Sequence, residues 1–168
     1  MFTIFISYRR DCGGTFALLL EEKLAQAGFS AFLDHKRMHR GRFDEEISQT
    51  IDEASDFIVI LSKDCFSVRE EEDVFVAEIE YALKKKKNIV PIFLNGYSKQ
   101  PSTPDRIRDV LKYQGVSEYA PQDFETVFLP KLISYLTDTE EKQNYIDRAG
   151  ARSYLSSRRK LESEPIDV

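Results

Sequence analysis

Three layers are predicted: a central, mostly parallel sheet of about five strands with α-helices on both faces. Two observations predict this. Short apolar runs without polar alternation recur at Phe2 to Ser7, Phe57 to Leu61 and Ile89 to Phe93, the pattern of strands covered on both faces. Between them lie segments of helical periodicity joined by short connections, the alternation that builds an open α/β sheet.

Phe2 to Ser7 is the first strand, and Gly13-Gly14-Thr15 punctuates the chain after it. Phe16 to Gln26 carries Phe16, Leu19, Leu20 and Leu24 on one stripe, with Gly28 as its stop, and so reads as a helix. Phe29 to Leu33 is the second strand. The loop His35 to Arg42 is basic, and the next helix runs from Phe43 to Ala54 with Ile47 and Ile51 inward. Phe57 to Leu61 is the third strand. Asp73 to Leu83 is helical, with Phe75, Ile79, Ala82 and Leu83 on one face. Ile89 to Phe93 is the fourth strand. A short helix is expected within Pro101 to Val110, a weak fifth strand at Lys112 to Val116, and a final core helix from Phe124 to Leu136. About five strands in this span fit a flavodoxin-like order better than a dinucleotide-binding fold of twice the size.

Residues 1–137 are thus read as one domain. Residues 138–168 are strongly charged, with sparse Tyr145, Ile146, Tyr154 and Leu155. They form a C-terminal extension whose forms include an amphipathic helix, a linker toward a partner and a frayed tail.

Composition excludes several classes. Apolar residues make up 42% of the 168, enough for a core. A net charge of −5 argues against an electrostatic nucleic-acid binder. No apolar stretch is long enough to span a bilayer, and Met1 to Ile6 is too short for a signal-peptide core. Cys12 and Cys65 are the only cysteines, which suits free thiols in a reducing cytosol. With His35 and His39 they make no recognisable metal cluster, and no metal or cofactor is expected. There is no G-x-G-x-x-G and no G-x-x-x-x-G-K-[ST], so dinucleotide-fold dehydrogenases and P-loop enzymes are disfavoured.

Glu78 is the most informative residue. It lies beside the apolar stripe of its helix, near Val74 and Tyr81, and positions three and four away offer no ion-pair partner. Its neighbour Glu80, in contrast, has Lys84 four residues on. A glutamate on a helix is ordinarily solvated, and the helix alone favours that reading. A carboxylate at the edge of an apolar face without a local partner is nonetheless a functional candidate. In an open parallel sheet, ligands bind beyond the carboxyl ends of the strands. The first strand ends in Tyr8-Arg9-Arg10. Guanidinium forks suit a phosphorylated ligand, although adjacent arginines also serve as plain surface charge. The second strand ends at Asp34, the third at Ser62-Lys63-Asp64. Phe43 is most simply a hydrophobic anchor at a helix start. A phosphoacceptor receiver needs an acidic pair after the first strand, where this chain has Tyr8-Arg9-Arg10.

Six segments together resemble a TIR domain. They are Ile4-Phe5-Ile6-Ser7-Tyr8-Arg9-Arg10, Gly28-Phe29-Ser30-Ala31-Phe32-Leu33-Asp34, Gly41-Arg42-Phe43, Ile58-Val59-Ile60-Leu61-Ser62, Glu78-Ile79 and Asn88-Ile89-Val90-Pro91-Ile92. The resemblance covers about residues 2–137, in the expected order and spacing. The arrangement looks closest to TIR domains that cleave NAD, in animals and in bacterial anti-phage systems. It implies Glu78 as the catalytic residue. It also implies substrate contacts from Arg9, Arg10, Tyr8, Asp34, Phe43, Ser62 and Val74. Val74 stands where many catalytic members carry tryptophan. The loop Lys36 to Arg42 corresponds to the family's BB loop, used in assembly and gating. The implied protein is a cytoplasmic NAD+ nucleosidase or ADP-ribosyl cyclase of immune or anti-phage signalling. NAD+ is its substrate rather than a cofactor. The expected partners are further copies of itself through TIR–TIR contacts and a downstream effector that senses a nucleotide product. It engages neither nucleic acid nor membrane.

Two other readings stand beside it. A TIR adaptor acting only through assembly needs neither Glu78 nor the double arginine. A nucleoside deoxyribosyltransferase-like enzyme would also use a glutamate on this fold, but gives less reason for Arg9 and Arg10.

Overall fold

The structure, a computed structural model, describes residues 3–33, 43–67, 73–98 and 103–163. Asp34, the basic loop His35 to Arg42 and the first strand's Phe2 lie outside the described residues. The chain divides into two compact units, Met1–Thr137 and Asp138–Val168.

The first unit is built on a five-stranded parallel sheet of order β2-β1-β3-β4-β5. Its strands are β1 (Ile4–Ser7), β2 (Ala31–Phe32), β3 (Asp56–Leu61), β4 (Asn88–Phe93) and β5 (Val116–Ser117). This is the expected flavodoxin-like sandwich. All six residues of β3 are buried, as the unbroken apolar run requires. Register places Ser7 level with Val59, and Val59 level with Pro91. On one face Phe5 stacks between Phe32 and Phe57, with ring centroids 5.4 Å away in each case.

Helices α1 (Arg10–Gln26), α2 (Glu45–Glu53), α3 (Val74–Lys84) and α4 (Leu129–Tyr135) belong to the first unit. Helix α2 is capped by Asp44, which accepts from the Ile47 amide at 3.1 Å. Four expectations are corrected. Helix α1 begins at Arg10 rather than Phe16, so Gly13 and Gly14 lie in its first turns. The Cys12 and Gly13 amides both donate to the Arg9 carbonyl, local bonds that open the helix here despite glycine's poor helix propensity. The expected short helix is a 3-10 segment at Asp105–Lys112, and β5 starts four residues later than expected, at Val116. The final core helix is divided into a 3-10 turn (Pro121–Asp123), a π-helical turn (Phe124–Phe128) and α4. Pro130 at the start of α4 has no N–H to continue an α-helical ladder, which matches the break.

At the N-terminal end of β3, the buried Asp56 carboxylate accepts three bonds on one oxygen. The donors are Asn88 Nδ2 at 2.6 Å, the Thr137 amide at 2.9 Å and Thr137 Oγ1 at 2.8 Å. The second unit contains α5, Glu140–Ser163. The described residues contain no helix long and apolar enough to cross a membrane.

Candidate active site

Helix α3 presents the central side chain. Asp73 caps it by accepting from the Val76 amide, and Phe75, Val76, Glu78, Ile79 and Ala82 face inward. Glu78 is only 7% exposed. The solvated position that helical periodicity favours is therefore corrected: the carboxylate belongs to the buried face. The reason is a partner far away in sequence. Ser7, the last residue of β1 and itself 1% exposed, donates its hydroxyl to Glu78 Oε2 at 2.6 Å. A buried carboxylate needs such hydrogen bonds to offset its lost hydration.

Ser7 ends the strand at which the order turns. Chain connection runs from β1 to β2 on one side, and then to β3 on the other. That switch point, beyond the carboxyl ends of the strands, is where open α/β sheets place their ligands. Tyr8, Arg9 and Arg10 leave β1 at this edge, and the side chain of Tyr8 lies against Gly13 and Gly14.

The two arginines part company. Arg9 is part-buried and heavily engaged. Its Nε donates to the Cys65 carbonyl at 2.5 Å, and its Nη2 forms an ion pair with Asp73. Its guanidinium carbon also lies 5.2 Å from the centre of the Phe75 ring. Arg10 is exposed on the first residue of α1. Phe43 is half-buried and packs on Tyr81, centroids 5.4 Å apart, three residues along α3 from Glu78. Tyr81 donates to Asp52 at 2.8 Å. Val74, the first residue of α3, packs against the core.

Ser62, just past β3, is 3% exposed, and its hydroxyl has no hydrogen-bond partner among the described residues. The same holds for the buried hydroxyl of Tyr97, whose phenol is pushed up by burial and secondarily by Cys65. Burial pushes the Cys65 thiol up to about 11.

Sequence reasoning missed Ser7, Asp73 and Cys65. Ser7 carried a faint signal, a small polar residue closing an apolar strand at the switch point. Asp73 carried a clearer one, a capping residue immediately before a helical pattern. Among the described residues no group of His, Cys, Asp and Glu is arranged to hold a metal.

Fold and site define an open parallel α/β domain with a buried glutamate aimed at its switch point. The TIR domain family model matches residues 4–128. The chain belongs to the TIR domain family. It is 33% identical to NAD(+) hydrolase SARM1 of Danio rerio over 138 residues, 79% of this chain and 19% of that protein. It is 34% identical to the probable 2' cyclic ADP-D-ribose synthase BdTIR of Brachypodium distachyon, over 74% of this chain and 52% of that one. The chain thus spans about a fifth of the first relative and about half of the second. The TIR domain of the Toll-related receptor TRR-2 of Hydra magnipapillata superposes with a TM-score of 0.56 at 19% identity, covering 80% of this chain and 97% of that one.

Proposed function

We propose that this domain cleaves the nicotinamide–ribose bond of NAD+, with Glu78 as the catalytic carboxylate. The observation that carries the reading is the burial of Glu78 at the switch point, where a carboxylate is costly to keep and a ligand would bind. The names of the two curated relatives, a NAD(+) hydrolase and a cyclic ADP-ribose synthase, support the same substrate.

The chemistry needs little else. Nicotinamide is joined to ribose through a cationic nitrogen and departs as a neutral molecule. It requires no proton, so the acid partner of an ordinary glycosidase pair is dispensable. A single carboxylate holds the ribose hydroxyls and stabilises the oxocarbenium-like transition state. Water then attacks the anomeric carbon to give ADP-ribose, or the substrate's own adenine or ribose attacks to give a cyclic isomer.

In this reading Tyr8, Arg9, Arg10, Asp34, Phe43, Ser62 and Val74 contact substrate. Arg10, exposed at the start of α1, takes the main share of the pyrophosphate charge beside the helix amides. Arg9, already engaged by Asp73, contributes from a fixed position. TIR–TIR assembly and a role in immune or anti-phage signalling belong to the same proposal and rest on the family resemblance.

The test is nicotinamide release from NAD+ by concentrated protein, beside Glu78→Gln, with products separated by mass. Release that vanishes in the variant supports the reading, and the product mass distinguishes hydrolase from cyclase. No release at any protein concentration would turn the assignment toward a binding module.

A further inference from the structure

We propose that Ser7 is a positioning residue for Glu78, fixing the carboxylate's orientation through its hydroxyl; this rests on the reading of Glu78 as the catalytic group. A glutamate reaches its carboxylate through three rotatable bonds. One carried on a helix keeps much of that freedom unless a rigid neighbour removes it. Ser7 is such a neighbour. It belongs to β1, whose four residues are all buried, and it is paired in register with Val59 of the central strand. Its side chain has a single O–H donor, and that donor is directed to Oε2 at 2.6 Å. The length suits an O–H donor on a charged acceptor, the stronger class of hydrogen bond.

Burial sharpens the effect. Both partners are more than nine-tenths buried, so water competes weakly for either group and the bond is strengthened by its surroundings. The pair therefore joins the hydrogen-bonded sheet to the helix that carries the carboxylate. Pre-set geometry of this kind is what a reaction resting on one charged group requires, since a misplacement of the order of 1 Å costs up to about 100-fold in rate.

The experiment uses the full chain with NAD+ as probe and compares Ser7→Ala, Ser7→Thr and Ser7→Cys. In Ser7→Ala, kcat is expected to fall about 10- to 100-fold with little change in KM, because the lost interaction orients the reacting group rather than the ligand. Ser7→Thr keeps the hydroxyl and is expected to recover most of kcat. Ser7→Cys, a weak donor of similar size, is expected to fall between, and it replaces the threonine comparison if the added methyl prevents folding. A second readout is independent of activity. In protein labelled with 13C-glutamate, the Glu78 carboxyl resonance is identified by its loss in Glu78→Gln. It is expected to move in Ser7→Ala and to stay near its native position in Ser7→Thr.

An unmoved resonance in Ser7→Ala, or an unchanged kcat in that variant while folded, would overturn the proposal. An equal loss in all three variants that tracks their melting temperatures would also overturn it, in favour of a purely structural serine. If the native chain releases no nicotinamide, the functional reading fails separately, and the carboxyl resonance alone decides whether Ser7 orients Glu78.

Discussion

Asp73 and Arg9 lock the start of α3 to the end of β1. The two residues are 64 positions apart in sequence and form a largely buried ion pair. Asp73 also caps the helix whose second turn carries Glu78. One aspartate thus sets both where α3 begins and what it is tied to. Two substitutions separate these tasks. Asp73→Asn retains a capping oxygen but loses the charge partner of Arg9, and is expected to cost about 1–3 kcal/mol. Asp73→Ala also loses the cap and is expected to cost about 1 kcal/mol more. Urea unfolding of the two variants beside the native chain checks the order.

Ser62 offers a contrast between stability and function. Among the described residues the buried Ser62 hydroxyl has no partner, and a buried hydroxyl left so is a cost to the folded state. Ser62→Ala is therefore expected to leave stability unchanged or raise it by up to about 1 kcal/mol. If the hydroxyl serves substrate, KM for NAD+ rises in the same variant. Denaturation and kinetics on one preparation read both effects, and a loss of stability with unaltered KM would mark Ser62 as ordinary core.

The Cys65 thiol makes stability depend on alkaline pH. Its pKa is raised in the folded chain from an ordinary 9.0 to about 11. The unfolded chain sheds this proton first, so folding stability is expected to fall as pH climbs through that window, by at most about 2–3 kcal/mol. Cys65→Ala should lack this share of the decline when unfolding midpoints at pH 8 and pH 10.5 are compared. At pH 8, iodoacetamide should label the exposed Cys12 and reach the buried Cys65 only on unfolding.

Gly115 is expected to tolerate no side chain. A Cβ there would lie 2.5 Å from the Pro91 carbonyl oxygen and 2.6 Å from the Phe93 ring. The clash is with the backbone of β4, which cannot step aside cheaply. Gly115→Ala should destabilise by about 1–3 kcal/mol, measurable as a lower thermal midpoint with an unaltered far-ultraviolet spectrum.

Much of this architecture could be read from local pattern. β3 and β4 announced themselves as unbroken apolar runs, because strands buried on both faces have no polar side to show. The start of α1 was hidden by Gly13 and Gly14, residues that usually interrupt helices but here lie inside one. The burial of Glu78 was hidden for a different reason. Helical periodicity describes a helix against an average core, whereas the partner that makes this carboxylate tolerable is Ser7, 71 residues earlier. Arg9 and Arg10 show the same limit. Adjacent in sequence and alike in chemistry, they differ in environment because Arg9 is the one that meets Asp73, Cys65 and Phe75.

The three-donor grip on Asp56 has a mechanical meaning. Thr137 closes the first unit, and both its amide and its hydroxyl are fastened to the opening residue of β3. β3 is the middle strand of five. Tension applied to the chain beyond Thr137 would be taken up first by that fastening and handed to the best-supported strand of the sheet. The load enters at the strands' N-terminal edge, while Ser7 and Glu78 meet at the opposite one. The domain can be pulled from this side without the strain passing first through the buried Glu78 carboxylate.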